Sequence, residues 1–232
     1  MVQQKPKPRT RRAVTKHDEK KVAIELVPRN DKQNDYLQAL KNYSQVVVFG
    51  PAGTGKTYCV STFAANQYHL KEIDKIVITR PHVAVGKDIG FLPGTLEEKA
   101  APWALPVLDV LEEHLGKGVV ETGLKHGNIE VAPLALMRGR SFKNAFIICD
   151  EAQNITFPEL KMLVTRVGEG SNLILNGDIQ QSDLKDGDGL SKIVHLIKKH
   201  MLPIPIVEFT VEDIVRSDMT RVWIETFVKE GL

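Results

Sequence analysis

The sequence is poor in the residues and runs that mark several protein classes. Its 232 residues include only two cysteines, Cys59 and Cys149, too few for a disulfide framework or a cysteine-based metal cluster. About 18 apolar residues never run together, and no apolar segment follows the basic N-terminal residues, so neither a membrane-spanning helix nor a secretory signal is predicted. We therefore expect a soluble, cytoplasmic protein in which both thiols are core residues.

Acidic side chains are absent from residues 1–17, which hold six basic ones. Prolines and a scarcity of apolar residues predict a disordered basic arm over residues 1–20. The arm could neutralise nucleic-acid phosphates, or it could be a solubilising tail without a partner. The remaining chain has 25 basic and 29 acidic residues, and an overall apolar content of 42% is sufficient for the core of one large domain over residues 21–232.

Short β-rich runs alternate with helical stretches along that domain. Strands are predicted at Val46–Phe49, Ile76–Thr79, Ala145–Cys149, Leu173–Asn176 and Ile204–Phe209. Helices are predicted at about Asn34–Lys41, Thr57–Tyr68, Leu96–Leu115, Pro158–Val167, Leu190–Lys199 and Met219–Lys229, with Gly116, Gly168 and Gly231 as C-terminal caps. This alternation predicts an α/β fold with a mostly parallel sheet and helices on both faces.

The stretch from Arg80 to Arg140 is the least regular part of the chain. Ten of its glycines and prolines interrupt it, so loops around a single helix are predicted there. Loops of this length in a compact domain usually carry function or inserted elements. We expect residues 80–140 to form a looped insertion or a small subdomain.

The octapeptide Gly50–Thr57, GPAGTGKT, directly follows the apolar run Val46–Phe49, and this order is typical of a Walker A P-loop. Its glycines allow positive φ angles that turn backbone N–H groups towards phosphates, and Lys56 adds a positive charge. The Thr57 hydroxyl is a ligand for Mg²⁺ at the start of a helix. The predicted cofactors are ATP and Mg²⁺; the alternative is a glycine turn that binds nothing. The predicted nucleotide contacts are Gly50, Pro51, Ala52, Gly53, Thr54, Gly55, Lys56, Thr57 and Tyr58.

Two carboxylates follow the strand Ala145–Cys149. In parallel sheets the carboxyl ends of strands form the ligand site, so Asp150 and Glu151 are expected near the P-loop. Asp150 is predicted to hold Mg²⁺ together with Thr57, and Glu151 to accept the proton of an attacking water. A structural ion pair is the alternative interpretation.

Two amide side chains complete the predicted site. Gln181 lies in Gly-Asp-x-x-Gln after the strand Leu173–Asn176, where it could detect the γ-phosphate, although Gly-Asp also forms ordinary turns. Gln33 lies upstream of the P-loop strand, and its amide could pair with the donor and acceptor of adenine. A solvated glutamine at a helix start is the alternative for Gln33.

Taken together, these motifs resemble the PhoH family of P-loop ATPases over roughly residues 30–220. The segments that carry the resemblance are GPAGTGKT, ITRP at 78–81, GFLPG at 90–94, APLALMRGRSF at 132–142, AFIICDEAQN at 145–154 and NGDIQQSDL at 176–184. The family occurs in bacteria and their viruses, and its nucleotide core is similar to that of superfamily-one helicases.

The resemblance implies a single RecA-like P-loop NTPase domain, in a short form without the accessory domains of some relatives. It assigns Lys56 to phosphate, Thr57 and Asp150 to Mg²⁺, Glu151 to the base, Gln181 to the γ-phosphate and Gln33 to adenine. The chain departs from the family pattern at Asn176, where Thr is usual, and at Lys185, where Pro is frequent. Both positions flank the Gly-Asp turn.

Superfamily-one helicases close their ATP site between two such domains, and this chain is long enough for only one. The resemblance therefore implies a ring, hexameric as in the family, in which an arginine of the next subunit stabilises transition-state charge. Arg166 and Arg216 are the main candidates, with Arg138 and Arg140 as further ones. Each of them could instead be a surface or ion-pairing arginine.

RNA or single-stranded DNA is the predicted polymer partner. The basic arm and the loop Arg80–Lys87 would contact phosphates, and Phe91 could stack on bases, whereas Phe91 and Trp103 could also be packing residues. Three functions compete: a nucleic-acid-dependent ATPase or helicase-like motor, an ATP-regulated scaffold with little turnover, and a small-molecule kinase. The adjacent Asp-Glu pair favours the first, and the lack of a clear arginine-rich lid segment disfavours the third.

Overall fold

A computed structural model describes residues 23–81, 96–182, 184 and 189–230. The basic arm, nearly all of the loop Arg80–Lys87, Phe91, Lys185 and Gly231 lie outside the described residues. The described strands are β1 Gln45–Phe49, β2 Lys75–Thr79, β3 Ile129–Val131, β4 Ala145–Cys149, β5 Asn172–Gly177 and β6 Ile206–Glu208. The described helices are α1 Asp31–Asn42, α2 Lys56–Leu70, α3 Leu96–Leu115, α4 Lys117–His126, α5 Leu134–Met137, α6 Phe157–Val164, α7 Gly189–His200 and α8 Asp218–Glu230.

The six described strands form one sheet in the order β3-β2-β4-β5-β1-β6. All of their pairings are parallel. Strand β1 lies between β5 and β6, and β5 lies between β1 and β4, so these strands end at the same edge of the sheet. This topology brings the P-loop, the Asp-Glu pair and the Asn-Gly-Asp turn together, although they are far apart in the sequence.

Alternate residues of the strands bury opposite faces of the sheet. Val46 and Val48 of β1 pack in one hydrophobic cluster with residues of α1 to α4. Val47 and Phe49 pack in a second cluster with residues of α5 to α7. Because both faces are covered, the four inner strands β1, β2, β4 and β5 are mostly apolar and do not alternate with polar residues, whereas the edge strands β3 and β6 each contain a glutamate. The prediction of a parallel α/β sheet with helices on both faces is confirmed.

The interpretation of residues 80–140 as loops around one helix was wrong for the part that the structure describes. Besides α3, this part contains α4, β3 and α5. Apolar residues of α3, α4 and β3 share the first core cluster with the sheet, and those of α5 belong to the second. Gly123 looked like a helix breaker, but it lies inside α4, where a Cβ atom would approach Ile129 to 2.8 Å. The glycine therefore allows α4 to pack closely against β3.

Two of the predicted glycine caps can be checked. Gly116 has φ +84°, and its N–H donates to the Glu112 carbonyl, so it ends α3 as expected. Gly168 is not a helix cap, because α6 already ends at Val164. Its N–H instead donates to the Phe142 carbonyl at 2.7 Å, and a Cβ atom would collide with that carbonyl.

Both cysteines are buried and unbridged, as predicted, and burial raises the pKa of Cys59 to about 11. Across the described ranges, no helix combines the length and apolar character that crossing a membrane requires.

Candidate functional site

The P-loop leaves β1 and enters α2 through three glycines with positive φ. These angles are +140° at Gly50, +83° at Gly53 and +84° at Gly55. At Gly50 a side chain would also collide with the backbone of Phe209. The left-handed conformations require glycine here, as the sequence motif predicted, and the close backbone approach at Gly50 is a second reason.

A segment from the end of the described sheet covers the P-loop. This roof segment, Phe209–Arg216, follows β6 and is held by backbone hydrogen bonds from Phe209 N to Phe49 O at 2.8 Å and from Val215 N to Gly53 O at 3.0 Å. The Asn30 side chain donates to the Asp213 carbonyl at 3.1 Å. The roof segment places the Arg216 Cγ atom 2.8 Å from the position of a Cβ on Gly53. Arg216 therefore lies beside the P-loop of its own chain.

Lys56 is buried at the centre of the loop that it follows. Its ammonium donates to the carbonyls of Gly50 at 2.7 Å and Pro51 at 2.8 Å, and to the Thr54 hydroxyl at 3.3 Å. Burial lowers the pKa of Lys56, while the carboxylates of Asp178, Asp150 and Glu151 oppose that shift. The ammonium is thus held where incoming phosphate oxygens could replace the carbonyl oxygens.

Thr57, Asp150 and Asn176 form a compact hydrogen-bonded group at the edge of the sheet. The Thr57 hydroxyl donates to Asp150 Oδ1 at 3.3 Å. The Asn176 amide donates to the same Oδ1 at 2.6 Å and to Thr57 Oγ1 at 3.0 Å. Burial and the neighbouring Glu151 raise the pKa of Asp150 to about 6, and Arg80 partly opposes this rise.

This group fits a magnesium site of the P-loop kind. A hydroxyl and a carboxylate are hard oxygen ligands, and Mg²⁺ commonly takes only one or two protein ligands, with phosphates and waters completing its octahedron. In the described part of the chain, no three His, Cys, Asp or Glu side chains gather to form an all-protein metal site. The protein's share of such a magnesium site would be Thr57 and Asp150.

Glu151 has a left-handed backbone conformation, with φ 52° and ψ 40°, which is uncommon for a residue with a side chain. Its Oε2 accepts a hydrogen bond from Gln153 Nε2 at 2.6 Å. Gln153 Oε1 accepts from the Asp178 N–H at 2.9 Å, so one buried amide joins Glu151 to the turn after β5. Gln153 is not among the predicted site residues, although it stands in the Asp-Glu-Ala-Gln sequence itself.

The turn after β5 presents Asp178 and Gln181 to the same region. Asp178 Oδ1 accepts from the Gln180 N–H at 3.1 Å and begins a single 3-10 turn, Ile179–Gln181. Burial raises the pKa of the Asp178 carboxyl. Gln181 lines the cavity described next, at the place where the sequence predicted a γ-phosphate contact.

An open cavity of about 600 Å³ joins these groups. Its volume is within the range of small-molecule and cofactor sites. The predicted site residues and their neighbours in its lining are Gly53, Gly55, Lys56, Thr57, Asp150, Glu151, Asn176, Asp178, Gln181 and Arg216. Pro51 lies on the P-loop beside it, and Ala52 is part of the wall.

The cavity lining also has an apolar part that includes residues of α3, which the sequence did not predict to lie there. This part includes Leu26, Val27, Tyr58, Pro106 and Val110. The Tyr58 hydroxyl donates to Glu113 of α3 at 3.4 Å, and the Tyr58 ring meets His114 edge to face. Helix α3 reaches this position by packing on α2, a tertiary contact without a local sequence signal.

Gln33 lines the cavity next to the P-loop, and its amide already has two partners. Nε2 donates to the Thr54 carbonyl at 2.9 Å, and Oε1 accepts from the Arg29 N–H at 2.8 Å. Gln33 therefore braces the P-loop in this structure. Recognition of adenine by Gln33 stays a prediction, and it would require the amide to exchange at least one of these bonds.

The remaining candidate side chains lie elsewhere. Arg166 follows α6 and does not line the cavity; its carbonyl accepts from the Phe142 N–H. Arg140 forms an ion pair with Glu130 and lies over the Phe142 ring. Trp103 packs against the first core cluster, in agreement with its interpretation as a packing residue.

Comparison with known proteins places these features in a family. Residues 25–228 match the family described as PhoH-like protein. The chain is similar to Protein PhoH of Escherichia coli (strain K12), with 42% identity over 84% of this chain and 56% of that protein. It is also similar to a PhoH-like protein of Bacillus subtilis (strain 168), with 41% identity over 86% of this chain and 63% of that protein. The chain thus spans a little over half the length of these relatives.

Among solved structures, the Pif1 helicase from Candida albicans aligns with 80% of this chain and 41% of its own. The sequence identity is 15% and the TM-score is 0.39. Similarity at this level carries no argument about activity.

Proposed function

This chain belongs to the PhoH-like protein family, and from that membership and its site geometry we propose that it binds ATP with Mg²⁺ and hydrolyses it. The observation that carries the proposal is the convergence of Lys56, the Thr57–Asp150 pair and Glu151 on one cavity of about 600 Å³. The family match accords with the resemblance that the sequence motifs indicated.

In this proposal the P-loop binds the phosphates through its inward N–H groups and the N terminus of α2. Lys56 exchanges the Gly50 and Pro51 carbonyls for phosphate oxygens, so its ammonium is available without a large movement. Thr57 and Asp150 hold Mg²⁺, which when bound would neutralise charge on the phosphates. We propose that the base of the nucleotide lies beside Tyr58 and Gln33, which line the same cavity.

Glu151 is the group proposed to accept the proton of the attacking water. Its carboxylate lies one residue beyond Asp150, and the hydrogen bond from Gln153 fixes one of its oxygens. Because the same Gln153 amide binds the Asp178 N–H, a shift of the turn after β5 would move Glu151 as well. We therefore propose Gln153 as a positioning residue and Gln181 as the contact to the γ-phosphate.

Arg216 is better placed than Arg166 to act on a nucleotide bound to the same chain. It lines the cavity and packs on Gly53, whereas Arg166 lies beyond α6. We propose that Arg216 contacts the phosphates in its own site. Arg166 stays the candidate for action across a subunit interface, which the proposed hexameric ring would supply.

Replacing Arg216 by alanine should lower the ATP turnover number by about 10- to 1000-fold, because a charge that stabilises the transition state is lost. Mixing subunits separates the two modes of action. R216A subunits would be combined with K56A subunits, which keep Arg216 but cannot bind phosphate normally. If Arg216 acts within its own chain, the mixture should hydrolyse ATP no faster than the two variants do separately. Faster hydrolysis in the mixture would show that Arg216 acts on the site of a neighbouring subunit.

We further propose that RNA or single-stranded DNA stimulates this ATPase. The proposal is supported by the acid-free basic segment 1–17 and by the P-loop core. An ATP-regulated scaffold with little turnover is the second candidate, favoured by the mildly acidic balance of the remaining chain. A small-molecule kinase is the third.

Steady-state ATP hydrolysis, measured with and without single-stranded RNA and DNA at low and high salt, tests this proposal. We expect one polymer to stimulate turnover several-fold and the stimulation to decrease with salt, because phosphate contacts release counterions. Turnover that is the same with and without either polymer would contradict the nucleic-acid proposal.

Light scattering with and without ATP and Mg²⁺ tests the proposed hexameric ring. A strict monomer in both conditions would contradict the ring.

A further inference from the structure

The Asn176 amide contacts both residues that are proposed to hold Mg²⁺, Thr57 and Asp150. Asn176 is the fifth residue of β5 and only 1% of it is exposed. Its amide nitrogen lies 3.0 Å from Thr57 Oγ1 and 2.6 Å from Asp150 Oδ1. One NH₂ group therefore donates to one oxygen of each residue.

An amide NH₂ group carries partial positive charge on its hydrogens, so it is a weak electrostatic substitute for a cation. Hydrogen bonds to an ionised carboxylate are short and strong, in agreement with the 2.6 Å distance. The Asp150 carboxylate is buried beside Glu151, and this hydrogen bond compensates part of its lost hydration. Because the amide hydrogens point at Thr57 Oγ1 and Asp150 Oδ1, their partial positive charge would repel a cation that approached these two oxygens together.

The oxygen atom of the Asn176 amide is not held in the same way as its nitrogen. Asn176 Oδ1 is buried and lacks a hydrogen-bond partner among the residues that the structure describes. The torsion that turns an asparagine amide is soft, and a half-turn exchanges oxygen and nitrogen with little change of shape. The side chain can therefore withdraw its donors from Thr57 and Asp150 without leaving its place in β5.

We propose that Asn176 is a placeholder for the divalent cation: its amide holds Thr57 and Asp150 together in the metal-free chain and must turn away when the cation binds. Cation binding is consequently weaker than it would be without these two hydrogen bonds. The inference rests on the proposed function, because the cation is the one that accompanies the nucleotide.

A valine at position 176 tests the placeholder, because valine suits a β-strand and has no donor. The probe is Mn²⁺, titrated by electron paramagnetic resonance in the presence of ADP, so hydrolysis does not enter the measurement. We expect N176V to bind Mn²⁺ about three- to tenfold more tightly than the original chain, since two hydrogen bonds no longer compete. N176T, whose side chain has one hydroxyl donor, should have an Mn²⁺ affinity between those of N176V and the original chain.

Thermal unfolding measures the other side of the same linkage, the stability that the Asn176 hydrogen bonds give the metal-free protein. Without divalent cations N176V should melt at a lower temperature than the original chain, and Mg²⁺ with ADP should reduce that difference. The matched control is N172V, the same substitution at the opposite end of β5, which should leave the Mn²⁺ affinity unchanged. If N176V fails to fold, the Mn²⁺ affinity of N176T is compared with that of the original chain instead.

Unchanged or weaker Mn²⁺ binding in the variants would overturn the placeholder while leaving the proposed function intact. Failure of the original chain to bind Mn²⁺ with ADP would overturn both. Tighter binding in N176V, with N172V unchanged, would support the placeholder.

Discussion

Replacing Glu151 by glutamine is expected to lower ATP turnover by about 10²- to 10⁴-fold while leaving nucleotide affinity nearly unchanged. The substitution keeps the size of the side chain and an oxygen that can accept from Gln153. It removes the ability to accept a proton from water. Steady-state hydrolysis, together with equilibrium binding of ADP and Mg²⁺, measures the two effects separately.

The matched control is E169Q, the same change at an exposed glutamate in the loop after α6. E169Q should keep both turnover and affinity. If E151Q also keeps its turnover, the base is a different group or the hydrolysis is not P-loop chemistry. If the original chain itself shows only negligible turnover while binding ATP, the regulated scaffold becomes the better description.

Replacing Asp150 by asparagine is expected to abolish Mg²⁺-dependent hydrolysis and, at the same time, to stabilise the metal-free protein. Burial and the neighbouring Glu151 raise the pKa of Asp150 from 3.8 to about 6. A carboxyl whose pKa is higher in the folded state opposes folding when it is ionised. At pH 8, without divalent cations, D150N should therefore gain about 1–3 kcal/mol in free energy of unfolding.

The pH dependence of this gain identifies its cause. The destabilisation by Asp150 is fully present above the folded pKa of about 6, and it disappears as the pH falls towards the unfolded value of 3.8. The difference in unfolding free energy between D150N and the original chain should shrink over this interval. Urea unfolding in EDTA at several pH values measures it, with D109N, at an exposed position of α3, as the control. A constant difference would show that the charge of Asp150 is not responsible.

Much of the fold could be predicted because its signals are local. Four of the five predicted strands are buried, mostly apolar runs, which is typical of a parallel sheet covered on both faces. The bounds of the fifth differ from the prediction: Ile204–Phe209 was predicted, whereas β6 is Ile206–Glu208. The P-loop was predicted from its glycines because their positive φ angles are a local requirement of the loop; the close approach of Phe209 to Gly50 is a tertiary contact that the sequence did not predict.

The parts that were missed depend on tertiary packing. Strand β3 has only three residues, and its sequence carries little β signal until β2 provides a hydrogen-bonding edge. Gly123 suggested a break because glycine is a poor helix former, but its contact with Ile129 outweighs that propensity. Likewise, the pairing of Asn176 with Thr57 follows from the adjacency of β5 and β1, which a single sequence does not reveal.

The position of β1 within the sheet has a consequence for synthesis of the protein. Val47 pairs with Ile206, a residue made roughly 160 positions later. The P-loop is also incomplete until the roof segment has been synthesised, because the Val215 N–H donates to the Gly53 carbonyl. At typical elongation rates of about 5–20 residues per second, the P-loop remains without these contacts for roughly 8–30 s. A nascent chain should therefore expose an incomplete phosphate site for most of translation, and acquire nucleotide affinity only after the segment up to Arg216 has left the ribosome.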